Sequence, residues 1–324
     1  MPDIITIGES LIDFLSIDKG VLIEDTSGFT IAPGGAPANV AAAIAKLGGS
    51  SGFIGKVGND SFGVMIRKTL KAAGVNVDHL LMDETVNTTL AFISVKQDGE
   101  PDFVFYRNRC GADLALRRDE IRHDYIDDAS ILHFGSINLT GEPLRSATIE
   151  AVEKAKRRNT LISFDPNLRP TLWESMSAAK TEIKMGLAYA DIVKLTDVEL
   201  EFITGADSPD VGTEAIMKYG PRMVLVTRGK ESCYFKNEEF FFEYPTFKVE
   251  PVDSTGAGDA FMGGMLLRLY ERKCEDKPLF SLKRDEIEEI LRFATACGAL
   301  TVTHKGVVPA LPTLQEVLAF LDTR

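Results

Sequence analysis

Short, almost wholly apolar runs recur along this chain at residues 4–8, 52–57, 131–134, 161–164, 192–195 and 223–227. Amphipathic stretches separate them at 38–47, 62–73, 143–158 and 181–190. Runs of that length with few polar residues suit strands covered on both faces. Their alternation with helices predicts a mostly parallel sheet in an α/β fold, with helices on both sides. Ligands of such sheets bind beyond the carboxyl ends of the strands. Glu9 and Asp13 follow the first run and Asp165 follows the fourth, so three carboxylates stand where a polyhydroxyl ligand would bind. Each could equally cap a turn.

Two segments break the rhythm. Residues 11–31 and 88–107 read as hairpin strands, the second turning through Gln97-Asp98-Gly99-Glu100 with Asp-Gly at its tip. Apolar hairpins inserted into an α/β chain predict a lid over the site. A single domain over 1–324 accommodates everything, with the two hairpins as its appendage.

Chemistry concentrates in Asp253-Ser254-Thr255-Gly256-Ala257-Gly258-Asp259-Ala260-Phe261. Glycines ahead of a helix let phosphate oxygens approach the unpaired N–H groups of its first turn. Asp259 stands beside that anion hole as a candidate base. Phosphoryl transfer asks a protein for charge stabilisation and a positioned nucleophile. The same turn also reads as a simple helix cap. Neither Gly-x-x-x-x-Gly-Lys-Ser/Thr nor Gly-x-Gly-x-x-Gly occurs, which removes the P-loop and disfavours a dinucleotide-dependent dehydrogenase. A second glycine site opens a small-residue helix at Gly34-Gly35-Ala36-Pro37-Ala38-Asn39, which Gly48 closes. Asn39 either binds a polar ligand or caps its own backbone.

Together these two segments resemble the signatures of the PfkB, or ribokinase-like, family of carbohydrate kinases: Gly-Gly-x-x-x-Asn early, and Asp-x-Thr-Gly-Ala-Gly-Asp-x-Phe late. The resemblance extends through Phe53–Gly63, Asp165-Pro166-Asn167-Leu168-Arg169 with Leu172-Trp173, and the tail from Ala296 to Gly306. Within the family the wording is most similar to the fructokinases, at Ala32–Val40, Phe134-Gly135-Ser136-Ile137 and Pro309-Ala310-Leu311-Pro312-Thr313.

The resemblance implies a three-layer α/β/α sandwich with a small β-strand lid. It implies an ATP-dependent kinase acting on a primary hydroxyl, with D-fructose the foremost acceptor and 2-keto-3-deoxygluconate the first alternative. Arg107 or Arg169 could meet the carboxylate of that acid. A non-catalytic sugar-binding regulator is the alternative from another class, disfavoured by the intact Asp259 and glycine turn. By the same resemblance Asp259 is the catalytic base, and Gly256, Ala257 and Gly258 hold the transferring phosphoryl group. Asp13, Gly34, Gly35, Asn39, Arg107 and Arg169 contact the sugar. Lys194, Glu199, Thr227, Gly229 and Thr295 line the ATP side. Glu199 organises Mg²⁺ through water, and Asp253 and Thr255 help bind a monovalent cation such as K⁺. Three positions depart from the family's common pattern: Thr196 ahead of Glu199, Ser232 after Thr227-Arg228-Gly229, and Thr295 in place of Asn. The family's lid often serves for dimerisation, so a homodimer is expected.

Composition fits that expectation. The net charge of −12 argues against nucleic acid and anionic membranes as partners. The four cysteines are far apart and the four histidines lack metal-ligand spacing, as in a reduced cytoplasmic enzyme. No signal peptide or spanning apolar run is visible.

Overall fold

The computed structural model describes all residues except 98–100, 108–110 and 276–278. The tip of the predicted Gln97–Glu100 turn therefore lies outside the described residues.

The main sheet has nine strands in the order β13-β12-β11-β10-β9-β8-β1-β4-β5. Its strands are β1 (Ile4–Ile7), β4 (Ser51–Gly58), β5 (Asn76–Asp83), β8 (Ile131–Gly135), β9 (Leu161–Asp165), β10 (Ile192–Thr196), β11 (Met223–Thr227), β12 (Ser232–Lys236) and β13 (Phe241–Pro245). All neighbours pair in parallel except across β11–β12 and β12–β13. Each of the six apolar runs is a strand. The remaining three lie at the two edges, where β5 (NVDHLLMD) mixes polar residues among its apolar ones and escapes a search for continuous apolar runs.

Alternate side chains feed two cores. Ile5, Ile7, Phe134, Phe164, Val193 and Val226 meet helices α4 (Leu144–Arg157), α5 (Met176–Tyr189), α6 (Asp197–Thr204) and α7 (Pro209–Met217) on one face. Ile4, Phe53, Ile131, Ile192 and Leu225 meet α1 (Ala36–Lys46), α2 (Ser61–Ala72), α8 (Ala257–Cys274) and α9 (Arg284–Thr301) on the other. This is the expected α/β/α sandwich. It also contains α3 (His123–Asp127) and α10 (Leu314–Asp322).

The lid is a four-stranded sheet, β3-β2-β6-β7, built from β2 (Leu11–Ser16), β3 (Phe29–Gly34), β6 (Leu90–Val95) and β7 (Pro101–Tyr106). Each hairpin is antiparallel, but the two hairpins join through parallel pairing of β2 with β6. Register separates its faces. Asp13 lies opposite Ala32 and Ala91, whereas Phe14 lies opposite Ile31 and Phe92, and Phe92 opposite Val104. The Phe14 face is aromatic, with Phe14 stacked on Phe92 and edge-on to Phe62 at the start of α2.

One polar knot ties β4 to its neighbours. The buried Lys56 ammonium lies 2.8 Å from both Asp83 Oδ2 on β5 and Glu120 Oε1 in the connection to α3. Removing one member of a buried ion pair leaves its partners uncompensated, a loss of about 3 kcal/mol or more. Lys56→Ala is expected to lower unfolding free energy by that amount in urea titrations. A change under about 0.5 kcal/mol, the range of ordinary surface substitutions, would show the knot to be dispensable.

Candidate active site

The carboxyl ends of β1, β8, β9 and β10 and the first turns of α1 and α8 converge with the Asp13 face of the lid. Gly256 forms the cap of α8 in a left-handed conformation (φ 79°) with no side-chain capping bond, so the hydroxyls of Ser254 and Thr255 do not close this helix end. The turn is equally closed to substitution, since a Cβ on Gly256 would stand 2.5 Å from Val307 Cγ1. The N–H groups at such a start have no partners within the helix.

Asp259 lies in that first turn and is buried. Asn39 Nδ2 donates to Asp259 Oδ2 at 2.8 Å, across 220 residues of sequence. The amide is therefore not a cap of its own helix; its carbonyl Oδ1 is buried without a partner. Burial raises the Asp259 pKa to about 6, against the opposing pull of the Asn39 bond and the Lys194 charge. Lys194 is buried and paired with Asp165 at 2.8 Å, and its Nζ lies 3.0 Å from where a Gly258 Cβ would be. Burial alone would lower its pKa, but the facing charges of Asp165 and Glu199 outweigh that and raise it. A charged lysine thus faces the glycine turn.

Asp13 is buried beside Gly34, with its pKa pushed up to about 7 by burial against the opposing Arg169 charge; Asp259 and Asp253 push it further up. Gly35 (φ 107°) caps α1, and a Cβ there would stand 2.5 Å from the Glu9 carbonyl oxygen. Arg169 Nη1 donates to Asn167 Oδ1 at 2.7 Å. Leu168 N–H donates to Glu199 Oε1 at 2.6 Å, and Glu199 Oε2 accepts from the Thr196 amide and hydroxyl as a capping box on α6. Asp253 Oδ1 accepts from the Thr255 amide and hydroxyl, and its Oδ2 from the Gly306 amide at 3.1 Å.

Thr227 ends β11, where its hydroxyl reaches the Leu195 carbonyl at 3.4 Å, and Gly229 turns the chain with φ 55°. Thr295 is buried on α9 and donates to the Leu291 carbonyl of its own helix.

Arg107 is placed in a setting that its sequence neighbours do not reveal. It is buried at the end of the second lid hairpin, donates from Nε to Asp113 Oδ2 at 2.8 Å, and bonds Thr140 through Nη1. Thr89 donates to the other Asp113 oxygen at 2.6 Å. Phe105, Arg107, Leu114, Thr140, Glu142 and Leu172 line a cavity of about 400 Å³. Asp113, Thr89 and Thr140 lie outside both signatures, and no spacing in the sequence marks them.

A single space therefore holds a buried carboxylate, an open helix end and a cation facing that end, which is the equipment for moving a phosphoryl group onto a hydroxyl. The family model described as pfkB family carbohydrate kinase matches residues 1–314. Fructokinase-1 of Oryza sativa subsp. japonica is 44% identical over 323 residues, covering 99% of this chain and 98% of its own. Among solved structures, fructokinase with bound ATP from Xylella fastidiosa superposes with a TM-score of 0.90 at 34% identity, covering 100% of this chain and 99% of that one. A fructokinase double mutant from Vibrio cholerae O395, bound to fructose, ADP and potassium ion, superposes with a TM-score of 0.85 at 33% identity over 98% of each chain.

Phosphoryl transfer that uses Asp259 needs the ionised carboxylate. Its pKa is raised to about 6 and that of Asp13 to about 7, so protonation removes the active form as pH falls through that window. The expected profile of kcat/KM is a plateau above about pH 8, a fall approaching tenfold per pH unit between about pH 7 and 6, and a steeper fall, towards a hundredfold per unit, below about pH 6. A profile still flat at pH 5 would remove Asp259 as the titrating base.

Proposed function

The chain belongs to the pfkB family of carbohydrate kinases, and from that membership we propose an ATP-dependent kinase that phosphorylates a primary hydroxyl of D-fructose. The observation that carries the reading is the buried Asp259 carboxylate, oriented by Asn39 beside the open end of α8.

Asp259 accepts the proton of the attacking hydroxyl, and Asn39 holds the carboxylate in one rotamer. Gly256, Ala257 and Gly258 present main-chain N–H groups to the oxygens of the transferring γ-phosphoryl, at the positive end of the helix. Lys194 adds a full charge against the same turn. Asp13, Gly34, Gly35 and Asn39 bind sugar hydroxyls. Thr227, Gly229 and Thr295 belong to the nucleotide side. The lid excludes water, which would otherwise compete as acceptor.

Glu199 fits an outer-sphere contact, because Oε1 accepts only the Leu168 N–H and keeps a lone-pair site, while Oε2 is filled by the Thr196 amide and hydroxyl. It would hold Mg²⁺ through water, the ion supplying charge neutralisation on the phosphates when bound. Among the described residues no cluster of three or more His, Cys, Asp or Glu forms a dedicated metal cage, which suits an ion carried by the nucleotide. Asp253 and Thr255 would hold K⁺ beside the glycine turn.

Fructose is favoured over an acidic acceptor by the charge balance. Arg107 is already paired with Asp113, so it offers no uncompensated cation to a substrate carboxylate, and Arg169 Nη1 is bonded to Asn167.

The outer face of the lid supports a homodimer. Ile31, Val104 and Tyr106 are 47%, 42% and 61% exposed and surround Phe92. An apolar, aromatic patch of this kind suits a self-complementary contact. Tyr106→Glu is expected to shift the mass in sedimentation equilibrium from dimer to monomer; an unchanged mass would place the contact elsewhere. No helix among the described residues is long and apolar enough to cross a membrane. Free, buried Cys233 and Cys297, with thiols pushed up to about 12 by burial, fit a reducing compartment such as the cytoplasm.

The test is ADP release from Mg·ATP against D-fructose, 2-keto-3-deoxygluconate, ribose, glucose and adenosine, with and without K⁺. Turnover with fructose foremost is expected, and Asp259→Asn is expected to cut kcat about 10²-fold or more while fructose binding in calorimetry persists. Near-normal turnover of that variant would end the base assignment, and turnover with another acceptor alone would end the fructose assignment.

A further inference from the structure

Glu9 stands on the turn after β1 and is fully enclosed. Its Oε1 accepts the Ala36 N–H at 3.0 Å, while Oε2 is buried without a partner. Ala36 is the first residue of α1, and the cap residue Gly35 has no side chain to receive that amide. Glu9 therefore supplies, from the turn after β1, an acceptor for the first amide of α1, one of the helix-start N–H groups that have no partner within the helix.

It is one of three fasteners on the same joint. Thr6 donates from Oγ1 to the Pro37 carbonyl at 2.7 Å, and Ser10 donates from Oγ to the Gly34 carbonyl at 3.1 Å. All three side chains are buried. The joint they hold is where lid strand β3 ends at Gly34 and α1 begins at Ala36. One turn further on, Asn39 bonds Asp259.

We infer that Glu9 is a positioning residue for the kinase reaction: by fastening the Gly34–Ala36 joint between lid and helix, it sets Asn39 and, through Asn39, the Asp259 carboxylate. The inference rests on the kinase reading of Asp259. Glu9 acts through the main chain, its one bonded oxygen holding the Ala36 N–H. Asp113 and Arg107 face it with opposite charges.

The consequence is a specific pattern of coupling. Glu9→Ala removes the acceptor, whereas Glu9→Gln keeps an oxygen that can receive the Ala36 amide. Glu9→Ala is expected to lower kcat about tenfold or more, the scale of small misplacements of catalytic groups, with a smaller change in KM for fructose. Glu9→Gln is expected to recover most of that loss. Because Glu9 works through Asn39, its loss in an Asn39→Ala background is expected to cost less than about twofold further. A second readout is independent of turnover. The side-chain amide of Asn39, observed by NMR with solvent exchange, is expected to be protected in the wild type and in Glu9→Gln and unprotected in Glu9→Ala.

Full additivity of the Glu9 and Asn39 losses, or an Asn39 amide equally protected in Glu9→Ala, would overturn the inference. Should Glu9→Ala fail to fold, Glu9→Gln and Glu9→Asp decide it. Retained protection in the shortened Asp side chain, with kcat unchanged, would overturn it, and loss of both in Glu9→Asp alone would support it. If the wild type turns over none of the sugars, the kinase reading fails, while the NMR comparison still decides whether Glu9 positions Asn39.

Discussion

A carboxylate enclosed at the start of a helix is the constraint from which the rest of this site follows. Burial disfavours its ionised form, so Asp259 needs compensation from groups that stay in place. Asn39 gives a hydrogen bond and Lys194 a charge, and each comes from a different element. Lys194 is buried in turn and needs Asp165, which ends the neighbouring strand. The chain of compensation thus runs from α1 through α8 to β10 and β9. The two strand ends meet at the same carboxyl edge of the sheet because β9 and β10 run parallel.

The compensation is incomplete, and that is useful. Asp259, Asp13 and Glu9 keep raised pKa values of about 6, 7 and 7. An acid whose pKa rises on folding holds its proton more tightly in the native state. Stability therefore falls as pH climbs from the ordinary carboxylate range through those values. The fold tolerates that loss at neutral pH, where a base poised near the working pH transfers protons best. The large double core supplies the reserve.

The signatures made the glycine turn, Asp259 and Asn39 legible, because main-chain approach and helix-end chemistry depend on residue type at fixed local spacing. The six central strands were legible for the same kind of reason: burial on both faces leaves an uninterrupted apolar run. Strand β5 was not, since polar residues interrupt its apolar run on both sides. The surroundings of Arg107 were not legible either. Asp113 and Thr140 bond it, Thr89 holds Asp113 from a third segment, and no periodicity connects them.

By itself the sequence determined the α/β layering, the two glycine-opened helices and the list of groups able to carry phosphoryl transfer, all of which follow from local backbone preference and hydrophobic period. The tertiary structure alone decided which of those groups touch. It joined Asn39 to Asp259 rather than to its own helix, spent Arg107 on Asp113, and set Glu9 beneath the joint of lid and helix. Those pairings span 220, 6 and 27 residues respectively. They are fixed by strand order and register, which no local run of residues encodes.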